Sequence, residues 1–159
     1  MKEKPDFKNI VKNFEISGEF LSGYPYGFGH INDTYAIRFL EKSGFIKRYI
    51  LQRINTKIFK NPEQLMNNIE SVTMHVRNKV CMSGGNPERE ALTLIRSTDG
   101  KSYYKTLNDE YWRVYIFIEG AKTYQIVESN YHSFNAGKAF GTFQNYLSDF
   151  PHDILYETI

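Results

Sequence analysis

The stretch from Phe20 to Ile54 restricts the fold more than any other part of the chain. It reads FLSGYPYGFGHINDTYAIRFLEKSGFIKRYILQRI. An apolar run enters the Gly/Pro-rich turn GYPYGFG, and a polar HIND follows. Then come TYAIRF, a KSG turn and FIKRYILQRI, a pattern of strand, glycine loop, strand, tight turn and strand. Gly27 and Gly29 let backbone amides come close to another group, and a phosphate is the usual object of such an approach. A Rossmann site would need a third glycine opening a helix, but Asn32 stands there and a β-like segment follows. The Gly-Lys-Ser/Thr of a P-loop is absent. What remains is a plain hairpin turn, or a glycine loop between antiparallel strands of the kind that covers nucleotide phosphates.

The flanking sequence supplies the rest of an α+β fold. Lys4 to Asn13 has a helical face of Phe7, Ile10 and Val11 that continues to Phe14, with Pro5 and Asp6 in its first turn. Strands are expected at Phe14 to Ser22, Ile31 to Leu40 and Phe45 to Ile54, with a hairpin turn at Glu41 to Gly44. In the third strand Tyr49, Leu51 and Arg53 share one face, and Ile50, Gln52 and Ile54 the other. Asn61 as N-cap, Pro62 at the first position, Glu63 in the first turn and Gln64 at a capping-box position open a helix over Pro62 to Lys79. Its apolar stripe is Leu65, Ile69, Val72, Val76 and Val80. Cys81 is expected half-buried beside its end, and Ser83 to Pro87 forms a turn. Glu90 to Ser97 and Tyr111 to Ile118 complete a meander of five strands, with Ser102 to Lys105 continuing the sheet and the long helix covering it. A connector follows, then a helix over Asn130 to Ser148 in which Gly137 and Gly141 permit close packing. That helix lacks a partner in the sequence pattern, so it reads as the first element of a further domain.

Composition removes several function classes. The net charge of +2 implies no strong attraction to nucleic acid or to a membrane surface. The single Cys81 excludes an internal disulfide and suits a reducing compartment, so a cytoplasmic location is expected. The first ten residues are charged and lack the apolar core of a signal peptide, and no run approaches the ~20 apolar residues of a membrane span. His30, His75, His132 and His152 are dispersed without zinc spacing, and no GxSxG, HExxH or EF-hand pattern occurs.

GFGHINDTYAIRF followed by YILQRINTKIFKNPEQLMNNI resembles the N-terminal lobe of the aminoglycoside phosphotransferase-like kinases, and within them the N-acetylhexosamine 1-kinase branch. The resemblance covers essentially the whole chain. It implies a protein-kinase-like N-terminal lobe over residues 1–118, a hinge over 119–129, and the start of a helical C-terminal lobe over 130–159. It further implies transfer of the γ-phosphate of ATP, with Mg2+, to the anomeric hydroxyl of an amino sugar. Gly27, Phe28, Gly29, His30 and Asn32 become the loop over the phosphates. The third-strand basic residue becomes either Gln52 or Arg53, since the usual lysine is absent, with Glu70 or Glu63 as its acidic partner. Ile116 to Gly120, including Phe117 and Glu119, become the segment that meets adenine. The catalytic aspartate of an H-x-D-x-x-x-x-N loop and the later magnesium aspartate are not found, and His152-Asp153 lacks the following asparagine. The chain is therefore expected to be the nucleotide-binding portion of such an enzyme: inactive alone, needing no cofactor itself, and free to dimerise through Phe134, Phe140 and Leu147. The alternative is a non-catalytic binding or dimerisation module.

Overall fold

The turn at residues 41–44 closes as its sequence demands: Gly44 sits at φ 86°, and its amide donates to the Glu41 carbonyl at 2.9 Å. In the computed structural model, which describes residues 5–158, this turn joins β2 (Asp33–Leu40) to β3 (Ile46–Arg53) in unbroken antiparallel register. Upstream, β1 (Glu19–Pro25) pairs with β2. It begins five residues later than the pattern suggests, because Phe14 makes only an isolated bridge to Ser97. The first helix, α1 (Phe7–Val11), is shorter than expected, and Asp6 is its N-cap, accepting from the Asn9 amide at 3.1 Å. Lys4, where the helix was expected to start, lies outside the described residues.

Beyond β3 the order departs from a meander. The helix α2 (Pro62–Met82) runs one turn past its expected end, and Asn61 caps it without a side-chain bond, so the Gln64 capping box does not form. Pro87–Glu90 is a helical turn, α3, rather than the start of a strand. Pro87 cannot donate to a ladder, and Asn86 caps the turn by accepting from the Glu88 amide at 3.0 Å. Strand β4 is therefore only Leu94–Ile95. A two-residue β5 (Tyr104–Lys105) and then β6 (Tyr111–Ile116) follow. The sheet has six antiparallel strands in the order β1-β2-β3-β6-β4, with β5 on β6. Thus β6 lies between β3 and β4.

Both faces of this sheet are covered. On one, Phe7, Ile10 and Val11 of α1, with Phe14 just beyond it, pack against Ile37, Phe39, Tyr49, Leu51, Trp112 and Val114. Gly23 makes that packing possible, since a Cβ there would stand 2.7 Å from the Phe7 ring. On the other face Met66 of α2, absent from the expected stripe, is fully buried with Ile54, Tyr103 and Tyr111. Each large side chain so buried contributes about 1.5–3 kcal/mol.

The remaining helix, α4 (Asn130–Tyr146), has no buried residue. It does have a helical partner, for Tyr146 and Leu147 at its end pack on Val76, Val80 and Ala91. Asp149 pairs with Lys79, and His75 Nε2 donates to the Tyr146 carbonyl at 2.8 Å. Farther on, Asn68 of α2 makes two bonds to the Tyr156 backbone, at 2.8 and 3.0 Å. Gly137 and Gly141 serve no close packing among the described residues, since none of them lies within 4 Å of either Cβ position. Cys81 is exposed rather than half-buried. Among the described residues no helix is long and apolar enough to cross a membrane.

Candidate functional site

Strand register decides between the two third-strand candidates. Gln52 stands opposite Thr34 on β2 and Arg113 on β6, while Arg53 stands opposite Asp33 and Trp112. The pleat sends these two rows to opposite faces. Gln52 shares its face with Met66 of α2, because Arg113 reaches both of them. Its amide nitrogen donates to Thr34 Oγ1 at 2.9 Å, and its amide oxygen accepts from Arg113 Nε and Nη2 at 3.0 and 2.9 Å.

Arg53 is on the other face, with its guanidinium 5.8 Å from the Trp112 ring centre. It pairs with both Asp33 and Glu110. Burial alone would lower its pKa, but the bonds to these two carboxylates raise it above its ordinary value. With two carboxylates on one guanidinium, Arg53 has no surplus positive charge for a phosphate. A cavity of about 420 Å3 lies beside it, lined in part by Asp33, Asp109 and Glu110. Arg53 and Lys57 line the same wall, but Arg53 is taken by Asp33 and Glu110.

The glycine loop sits over a different space. A cavity of about 540 Å3 has Tyr26, Gly27, Phe28 and Gly29 as one wall, and Ala121, Thr123 and Gln125 of the connector as the other. Gly27 has φ 79°, a left-handed conformation that excludes most side chains. Among the described residues no atom lies within 4 Å of a Cβ position at Gly27 or Gly29, so the loop backbone is open to approach. Phe28 is 72% exposed, and His30 is exposed. Asn32 turns away from this space: its Oδ1 accepts from the Asn55 amide at 3.0 Å, while Asn55 Nδ2 donates to the Ile31 carbonyl at 3.0 Å. This reciprocal clasp ties the end of the loop to the segment after β3.

The connector is anchored by a second group. The Phe117 ring lies between Tyr26, edge-on at 5.2 Å, and the Arg48 guanidinium, 3.8 Å from its centre. Arg48 also grips Glu119 through two nitrogens, Nε donating to Oε1 at 2.8 Å. Its guanidinium holds the Glu119 carboxyl below its ordinary pKa. The Glu119 carbonyl accepts from Arg89 Nη1 of α3 at 2.7 Å. Glu119 is thus a tether of the connector, with carboxylate and carbonyl both engaged inside the chain. Residues 120–128, which belong to no helix or strand and are exposed, form the part of the connector facing solvent.

Neither acidic candidate on α2 meets the third strand. Glu70 pairs with Arg96, and Glu63 accepts from the Tyr111 hydroxyl at 3.2 Å. The structure therefore brings together Gly27, Phe28, Gly29 and the connector around one cavity, with Phe117 edge-on to the Tyr26 ring that lines it. It places Gln52 on the α2 face of the sheet and removes Arg53, Asn32 and Glu70 to other duties. Arg113 was missed by sequence reasoning. In WRVYIFI it reads as an ordinary strand residue, and only the long-range register of β6 on β3 puts it against Gln52. Asp153 lies in an exposed 3-10 turn, His152–Ile154. Among the described residues there is no cluster of three metal-ligating side chains. No protein-family model matches the chain.

Proposed function

We propose that this chain is the nucleotide-binding portion of an ATP-dependent small-molecule phosphotransferase of the kinase-like class, acting on a sugar hydroxyl of the N-acetylhexosamine type. The observation that carries this reading is the cavity of about 540 Å3 between an open-backbone glycine loop and the connector, at the margin of an antiparallel sheet. Such a slot admits a flat base against the connector and leaves free amides over a phosphate chain. The residues present suit ATP better than its metal. Magnesium held on the phosphates would need carboxylates that the described residues do not gather. The chain's own part is to bind and orient: Tyr26 borders the slot with Phe117 against its ring, the loop covers phosphate, and Gln52 donates its amide nitrogen to Thr34 on the α2 face. Phosphoryl transfer also needs a base to take the acceptor proton.

Titration of the chain with ATP, followed by amide chemical shifts, tests this reading. Shifts at Gly27 to Gly29 and at residues 121–125, together with no phosphotransfer to N-acetylhexosamines, are expected. Shifts confined to the Asp33, Asp109 and Glu110 cavity would overturn it.

A second reading, a binding or dimerisation module, is favoured by one observation. Tyr131, Phe134 and Phe140 on α4 are each about 70% exposed. Equilibrium sedimentation decides it, since a dimer through α4 must dissociate in Phe134→Ala/Phe140→Ala.

A further inference from the structure

Arg113 is a buried guanidinium of the sheet that finds no carboxylate among the described residues. It is 8% exposed. Its five N–H groups find one oxygen, Gln52 Oε1, which takes two of them, and one poor acceptor, Met66 Sδ at 3.8 Å. The ring of Tyr115 lies 5.2 Å from the guanidinium carbon. No carboxylate among the described residues pairs with it, whereas Arg48, Arg53 and Arg96 each hold at least one. Burial without a countercharge pushes the Arg113 guanidinium below its ordinary pKa. A buried charge of this kind costs stability unless something compensates it.

Its one oxygen partner among the described residues is Gln52, one of the two third-strand residues that the kinase resemblance offers for the phosphate. By taking Gln52 Oε1, Arg113 fixes the amide so that its nitrogen points the other way, to Thr34 Oγ1. Thr34 adjoins the loop, for its carbonyl accepts from the Tyr26 amide at 2.9 Å. A line of polar groups thus runs from Arg113 through Gln52 and Thr34 to the base of the glycine loop.

Resting on the nucleotide reading above, we propose that Arg113 supplies, from β6 and through Gln52, the positive charge that the third strand lacks, for the phosphate groups of a ligand under the glycine loop. Gln52 makes the contact, and Arg113 is a positioning residue that sets its donor face and provides the field.

The test compares ATP, adenosine and inorganic tripolyphosphate by calorimetry on the full chain. Arg113→Met weakens ATP at least about tenfold and leaves adenosine within about twofold, because only the phosphates feel the charge. Arg113→Lys retains most of the ATP affinity. Adding Gln52→Lys to Arg113→Met moves the charge to the third strand and restores ATP binding. Gln52→Glu gives Arg113 a carboxylate, so it raises the melting temperature while ATP binding falls, and this arm serves even if Arg113→Met does not fold. Unchanged ATP affinity in Gln52→Glu, or equal losses for ATP and adenosine in Arg113→Met, would overturn the proposal. If wild type binds tripolyphosphate but neither nucleoside nor ATP, the nucleotide reading fails and the anion site stands. Binding of none of the three ends both.

Discussion

Trp112 and Phe140 are both large aromatic residues on regular elements, yet Trp112 is 0% exposed and Phe140 is 72% exposed. The same contrast separates the two parts of the molecule. In the sheet, both faces of β6 are buried, Trp112 and Val114 under α1, and Tyr111 on the α2 side. In α4 the helix has no buried residue, and its packing on the body of the molecule is by its last turn and the residues after it, with His132 near its start against Tyr124. Helicity and burial therefore come from different sources in the two regions. The sheet is fixed by what covers it, whereas α4 relies on its Ser129 cap and on local propensity.

The sharpest way to break this comparison is to truncate one aromatic in each region. Trp112→Ala should cost about 3–5 kcal/mol in urea unfolding, and Phe140→Ala should stay within about ±0.5 kcal/mol. A comparable loss at Phe140 would mean that α4 is covered in solution. Glycine replacement gives the next largest contrast. Gly23→Ala drives a methyl into the Phe7 ring and should destabilise by about 1–3 kcal/mol. Gly137→Ala and Gly141→Ala meet open space in a helix and should each stabilise α4 by up to about 1 kcal/mol, read as helical circular dichroism on heating. Loss of helix in either variant would show that a backbone packs there.

Between the regions lies the tether of Arg48 on Glu119. Its two side chains are 31% and 57% exposed, so solvent screens the pair. A double-mutant cycle of Arg48→Ala and Glu119→Ala should return a coupling of about 0.5–1 kcal/mol. Hydrogen exchange over 119–128 should speed up while the sheet amides stay protected. Coupled loss in the sheet would make the two parts one cooperative unit. The smallest effect is that of pH. Glu119 and Asp149 both have pKa values depressed by their cationic partners, Arg48 and Lys79. The stabilisation is complete above the ordinary carboxylate range and is lost as pH falls below about 4 through the depressed values. Exchange at the connector and at residues 149–156 should rise there before the sheet responds. Flat protection through that window would remove these pairs from the account.

The parts legible in the sequence were those with local causes. Alternation over Tyr35 to Phe39 and over Tyr49 to Leu51, with a closing turn, set the β2-β3 hairpin to within a residue or two. Asn61-Pro62 placed the start of α2 even though the Asn61 side chain makes no cap bond. The parts not legible depend on distant partners. The pairing of β6 with β3 has no local signature, so the meander was the wrong order and Arg113 went unnoticed. Asn32 reads as a loop residue, but Asn55, far along the chain, claims its side chain. Pro87 closes the expected turn after α2 on sequence, but in the structure it opens the helical turn α3. The exposure of Cys81 follows from its position on the side of α2 away from Val76 and Val80, which periodicity alone does not orient.

The insertion of β6 between β3 and β4 has a consequence for how the molecule is made. It pairs Leu51 with Val114, about sixty residues apart, so a long loop must close before the sheet has its centre. Until then β3 is an edge strand, and one long side of it, from Tyr49 to Arg53, presents unpaired amides and carbonyls beside apolar side chains. A nascent chain that has reached α2 but not β6 therefore offers a template for strand addition, with Lys47, Arg48 and Arg53 as the charges that discourage it. Once Trp112 arrives, the edge disappears and the two cores close around the same strand.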